Sequence, residues 1–288
     1  MNQTRSPNGL SRLSWYHSDP EQRLLFRGGR FTRVNNTCSF VLALISACLF
    51  YAALLPLNEM YFAQTFTQRG FVPYAIVFLF CWSIAILFLK SGKLKLQRKA
   101  LQLPILPENP EFVLSSNTVG EVTKRIHQVV DEPRQFILLN RIEIALSNLK
   151  NLGRVADLDE ILRSQGEQDE STVETSYSII SGFVWAIPVL GFIGTVEGLS
   201  LSIGGFGQVL SSTEQLSEIK SSLQHVTAGL SIAFETTLQG LLAALVVQLL
   251  LTQTKKREEE FLDDCAEYCV RNVVGRLRLT PYEMMSNE

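Results

Sequence analysis

Two apolar stretches, YSIISGFVWAIPVLGFIGTVEGLSLSI (177–203) and TAGLSIAFETTLQGLLAALVVQLLL (227–251), constrain the fold more than anything else in the chain. Each exceeds the roughly 20 apolar residues that cross a bilayer as a helix. Each also carries polar side chains that a lipid-facing helix would exclude: Thr195 and Glu197 in the first, Glu235, Thr236, Thr237 and Gln239 in the second. Polar groups are expensive in hydrocarbon, so these side chains are expected to face a bundle interior or a hydrated path.

The small residues say which way the two helices face. Gly191, Gly194, Thr195, Gly198 and Ser202 recur at three- and four-residue steps, and Gly229, Ala233, Thr237, Gly240 and Ala244 repeat the pattern in the second stretch. Such stripes let another backbone approach closely, and Gly194 and Gly198 form a GxxxG pair. With the hydrocarbon bounded at Ser181 and Leu251, Thr195 and Thr237 each lie 14 residues from the inner side, a rise of about 21 Å. Threonine hydroxyls can hold water or replace the hydration of a small cation, which makes Thr195 and Thr237, with Thr236 beside them, candidates for an ion pathway. The alternative is plain helix packing, with each hydroxyl bonded back to its own helix.

Two further apolar runs, 37–57 and 71–89, bring the expected spans to four, separated by polar sequence. A mean hydropathy of +0.14 does not reveal this, because the apolar residues are concentrated in these runs. Six arginines precede the first run, Lys90, Lys93, Lys95, Arg98 and Lys99 follow the second, and Lys255, Lys256 and Arg257 follow the fourth. The links 58–70 and 204–226 hold only Arg69 and Lys220, so both termini and the middle region are expected in the cytoplasm. The polar, arginine-bearing start does not read as a cleavable signal peptide. A net charge of −2 without a basic aromatic patch gives no sign of nucleic acid. The five cysteines fit a reducing compartment. Cys265 and Cys269 share a helix face, but without two further ligands they read as packing positions and not as a metal centre. No catalytic or cofactor motif is present, so neither an enzyme nor a cofactor is expected.

In chain order, residues 1–36 read as a cytoplasmic tail, most of it loosely ordered and its last part an interfacial anchor. The first two spans, which lack charge, read as a lipid-facing outer layer. Residues 90–176 read as a helical cytoplasmic domain. One helix there places Val119, Val122, Ile126, Val129 and Val130 on one side, the next Phe136, Leu139, Ile142, Leu146 and Leu149, with Pro133 between them. A short helix and a polar link are expected from Asp157 to the third span. GGFGQ at 204–208 suggests a flexible turn opening the outer link, and residues 252–288 form a cytoplasmic amphipathic helix. His225 in that link is either a relay or an interfacial residue.

The segments PVLGFIGTVEG and TTLQGLLAA resemble the paired signature helices of the MotA/TolQ/ExbB proton channel family, in order and on adjacent spans. The resemblance covers Pro188 to Ala244 and implies an all-α polytopic protein of a bacterial inner membrane. It further implies a homopentameric ring around a dimeric, single-span partner like MotB, TolR or ExbD, in which flow of protons or sodium ions becomes rotation or force. Under it Thr195, Thr237 and Thr236 belong to the ion pathway. Gly191, Gly194, Gly198, Ala233, Gly240, Ala244 and Pro188 pack the helices and line the pore. The chain departs from the pattern at Ile232, where transport relatives often carry glutamate, and at Val246, where the pattern has proline. Relay through the ring itself is therefore doubtful, and the partner's carboxylate is left as the titrating group. Glu197 and Glu235 lie about 200° round their helices from the threonines, so they serve as a polar relay, an interface or an outer-boundary pair. Four spans resemble the MotA branch while GTVEG and TTLQG are closer to TolQ and ExbB, so the branch stays open. The rival of a different class is a non-conducting membrane scaffold that binds partners through its cytoplasmic helices.

Overall fold

The computed structural model describes residues 13–106, 112–115, 118–152, 155–211 and 216–277. It is 83% helical, and among the described residues there is no strand beyond two isolated bridges. The helices are α1 (Trp15–Ser18), α2 (Pro20–Arg23), α3 (Asn36–Leu54), α4 (Tyr61–Thr67), α5 (Val72–Leu101), α6 (Val119–Val129), α7 (Ile137–Leu152), α8 (Val155–Thr175), α9 (Ser178–Ser211) and α10 (Leu216–Asn272). Four helical stretches are long and apolar enough to cross a membrane: Asn36–Leu57, Val72–Leu101, Leu158–Gly204 and Leu223–Arg276. The protein is therefore an all-α, multi-pass membrane protein. Its residues divide into a span unit (Ser39–Leu87 and Ser178–Gln253) and a polar unit (Met1–Cys38, Phe88–Tyr177 and Thr254–Glu288).

Within the span unit α3 and α5 pack through aromatic edges. Phe40 meets Phe78 and Trp82, Trp82 Nε1 donates to Ser39 Oγ at 3.1 Å, and Ala43, Ala47, Val77 and Cys81 fill the seam. The two spans are not equivalent, although both were expected to face lipid. Only 17% of the most apolar stretch of the first span is buried, against 50% for the second. The second is inner because it also meets α9, where Trp82 lies 4.8 Å from Phe183. The connection between the first two spans carries α4.

The turn expected at 204–208 is helical, since α9 runs on to Ser211. A helix satisfies its own backbone groups where water is scarce, and that outweighs the roughly 1 kcal/mol helical penalty of each glycine. Residues 212–215 of the outer link lie outside the described residues.

The polar unit has a conventional core. All ten apolar positions expected on the two middle helices are buried, and α7 packs against both α6 and α8. A single helix α8 replaces the expected short helix and polar link, because Leu158, Leu162, Asp169 and Val173 form one continuous buried face. Asp169 accepts a 2.6 Å bond from Arg141 Nε inside this core.

The tail is also corrected: from Leu13 onward it is folded. Ser14 Oγ and Trp15 N donate to Asp131, and the buried Trp15 ring stands edge-on to Phe136 at 5.3 Å. Residues 19–35 then close round one ammonium. Lys93 Nζ lies 2.5 Å from Glu21 Oε2, 2.8 Å from the Arg33 carbonyl, 3.1 Å from the Gly29 carbonyl and 3.8 Å from Asp19 Oδ1. Glu21 in turn accepts from Gly29 N and Asn35 N. Lys90 is buried nearby, 2.7 Å from Glu258 Oε2, which also accepts from the Tyr177 hydroxyl. Met by several partners each, Lys93 and Glu21 hold the tail in place. Residues 1–12 lie outside the described residues.

Candidate functional site

α9 and α10 run antiparallel and touch through their backbones. A Cβ on Gly240 would stand 3.0 Å from the Ile187 carbonyl, one on Gly191 3.0 Å from the Thr236 carbonyl, and one on Gly198 2.5 Å from the Gly229 carbonyl. At Gly194 a Cβ would overlap the Thr236 side chain, and at Gly229 that of Ser202. Glycine is required at these places by proximity, since helices this close leave no room for a side chain. Ala233 and Ala244 are buried and Pro188 is half-buried. Pro188 sits inside α9, where it withholds the N–H that would bond the carbonyl of Val184.

This contact brings Thr195 and Thr237 together, their hydroxyl oxygens 3.4 Å apart. Thr195 Oγ1 donates to the Phe192 carbonyl at 2.6 Å. Thr237 Oγ1 lies 3.1 Å from two carbonyls, Gly191 across the helix contact and Ala233 on its own helix. Each hydroxyl can give its proton to a carbonyl or to the other hydroxyl, and when both turn to carbonyls the facing oxygens present lone pairs that can accept from a third donor or coordinate a cation. Thr236 is placed differently. It is fully buried, packs on Gly194, and bonds back to the Ile232 carbonyl at 2.9 Å.

The glutamates have other neighbours. Glu235 Oε2 lies 2.8 Å from Arg69 Nε, and its Oε1 accepts from Arg69 Nη2 at 3.1 Å, Ser231 Oγ at 2.6 Å and the Tyr61 hydroxyl. Glu197 is half-buried, its carboxylate against Gly70, whose φ of +78° is the left-handed region that glycine adopts freely. The structure thus does not join Glu197 to Glu235 but sets both against the connection that follows α4. Sequence reasoning missed Arg69 and Tyr61. Their signal was a lone cation in the link 58–70, and on α10 the polar line Thr227, Ser231, Glu235 and Gln239 at four-residue spacing. His225 is exposed, Cys265 and Cys269 are buried free thiols, and among the described residues no group of three or more His, Cys, Asp or Glu could hold a metal.

A multi-span helical unit whose third and fourth spans meet through glycines and bring two threonine hydroxyls together defines a membrane protein with a polar helix contact. Residues 131–266, a little under half of the chain, match the model of the MotA/TolQ/ExbB proton channel family. The match takes in α7, α8, α9 and most of α10, and is wider than the two signature segments. The matched family is one of membrane channel proteins. No curated protein and no solved structure matches the chain.

Proposed function

We propose that the protein is the ring subunit of an ion-driven motor in a bacterial inner membrane, a homopentamer around a dimeric single-span partner of the MotB, TolR or ExbD kind. Both of its termini face the cytoplasm. The observation that carries this reading is the Thr195–Thr237 pair, two hydroxyl oxygens 3.4 Å apart, each with a backbone carbonyl in reach of its proton. A partner's carboxylic acid or a hydrated cation supplies the missing donor or charge. When a proton leaves, the carboxylate loses its bond to the two oxygens and is repelled by their lone pairs, which favours its passage to the next subunit. Thr236 supports the pair from behind by packing on Gly194, and the glycines hold α9 and α10 close enough for the hydroxyls to meet.

The test is the double variant Thr195→Val/Thr237→Val, purified with the single-span protein and placed in liposomes under a potassium diffusion potential. Because each hydroxyl bonds to nearby carbonyls, stability is expected to change by less than about 1.5 kcal/mol. Proton or sodium flux is expected to fall at least tenfold. Native mass spectrometry should count five copies with two partner chains. Unchanged flux in the double variant, or a monomer that retains no partner, would favour the non-conducting scaffold.

A further inference from the structure

Four polar side chains climb α10 at four-residue steps, Thr227, Ser231, Glu235 and Gln239, on a line that drifts only about 40° per step and lies apart from the glycine and threonine stripe. Two of them seize the outer connection. Gln239 Nε2 donates to the Thr65 carbonyl at 3.0 Å, and Glu235 takes the Tyr61 hydroxyl and the Arg69 guanidinium. Tyr61 opens α4, Thr65 is one turn on, and Arg69 stands just beyond its end, so α4 is tied to α10 along its whole length. Arg69 comes two residues before the run at Phe71 begins, which puts the ion pair at the outer end of the second span.

We infer that Glu235 is a fixed ionic anchor that docks α4 on α10 and seats Thr237 against Thr195, and that it is not a proton carrier. A carrier must gain and lose its proton with a change of partners, whereas Glu235 Oε1 already receives three donors and Oε2 faces the guanidinium. A guanidinium stays charged at any physiological pH, so neutralising Glu235 would strand a half-buried cation. The anchor is also adjacent to the residues it positions. Thr236 and Thr237 follow Glu235 directly and press on Gly194 and Gly191, so a shift of α10 at Glu235 separates the hydroxyls. The positioning role rests on the proposed ion pathway; the anchoring of α4 does not.

A charge cycle separates anchor from carrier in the full-length protein. Glu235→Gln and Arg69→Gln each leave one charge unpaired and are expected to lower the thermal midpoint in detergent by roughly 4–8 °C. The double variant, with neither charge, is expected to recover at least half of that loss. Flux under the potassium diffusion potential, read with a pH-sensitive dye, should fall about tenfold in each single variant and return to within threefold of the wild type in the double. Tyr61→Phe keeps both charges, so it reports on the anchor even if a single charge variant fails to fold; a loss of about 2 °C is expected. Midpoints unchanged in Tyr61→Phe and in both single variants, or a double variant as inactive as Glu235→Gln, would overturn the anchor. If the wild type itself conducts no ions, the motor reading fails, and the midpoints alone still decide whether α4 is anchored.

Discussion

Each of the two units is held together within itself, and by opposite means. In the span unit the tightest contact is made by what is missing, since α9 and α10 approach until the absent Cβ atoms of Gly191, Gly198 and Gly240 would touch facing backbone. In the polar unit the core carries large apolar side chains such as Phe136, Ile137 and Leu138, all wholly buried, and admits two lysines beside them. The difference follows from the solvent. Lipid tails are as apolar as leucine, so helices there gain little by hiding apolar surface and associate through close packing. In water the burial of apolar area drives folding, at about 25 cal/mol per Å², and leaves a margin for internal charges that are fully compensated. The span unit should therefore fail when volume is added, and the polar unit when charge is removed.

The largest effect is expected from added volume. Gly198→Leu must push its Cβ into the Gly229 carbonyl, and neither backbone can yield without parting the helices. A cost beyond about 3 kcal/mol and loss of monodisperse protein on size exclusion are expected. Gly182→Leu is the control, because a Cβ there meets nothing within 4 Å. Equal behaviour of the two variants would mean that the close approach is not what holds this unit together.

Removal of charge comes next. Lys93→Met would leave Glu21, and the Gly29 and Arg33 carbonyls around it, without the ammonium that joins them, at an expected cost of about 3–5 kcal/mol in thermal or denaturant unfolding. Adding Asp19→Asn and Glu21→Gln should recover most of that loss. A Lys93→Met protein as stable as the wild type would show that the tail from Leu13 onward is held by its other contacts, such as Trp15 and Ser14 on Asp131 and Arg30 on Asn140.

These two contrasts also mark how far the sequence could be read. The spans and the stripes were legible because a helix repeats every 3.6 residues, so small residues at three- and four-residue steps state their own face. The TT dipeptide was less informative. The stripe put Thr237 on the close-approach face, but successive residues differ by about 100°, and only the facing Gly194 reveals that Thr236 turns into packing. Lys93 was visible as one of several cations that orient the chain, but its burial depends on Glu21, 72 residues earlier. Trp15 likewise owes its place to Asp131, 116 residues later. No local pattern encodes such distant pairings, so the tail looked loose. Arg69 was visible as an isolated cation, and its meaning depended on Glu235, 166 residues away.

The smallest expected effect sharpens the comparison by asking how one lysine serves two buried acids. Lys93 Nζ lies 2.5 Å from Glu21 but 3.8 Å from Asp19, so its charge is matched mainly by Glu21. Asp19 Oδ1 accepts from Glu21 N at 3.4 Å, while Oδ2 is buried against Gly28 without a donor. Burial pushes the Asp19 carboxyl above its ordinary value of 3.8; Lys93 and the Glu21 N–H pull it down, and the Glu21 carboxylate adds to the rise. Asp19 thus binds its proton more tightly in the folded protein than in the unfolded chain. The stability this provides is fully present below the ordinary carboxylate value and is lost as pH rises through the raised one. Asp19→Asn removes that dependence while keeping the shape. Thermal midpoints of wild type minus Asp19→Asn should therefore fall as pH increases across the weakly acidic range and level off above the folded value. A difference that is flat, or that grows with pH, would mean that Asp19 is held as a carboxylate and that the polar unit tolerates one buried negative charge more than its lysine balances.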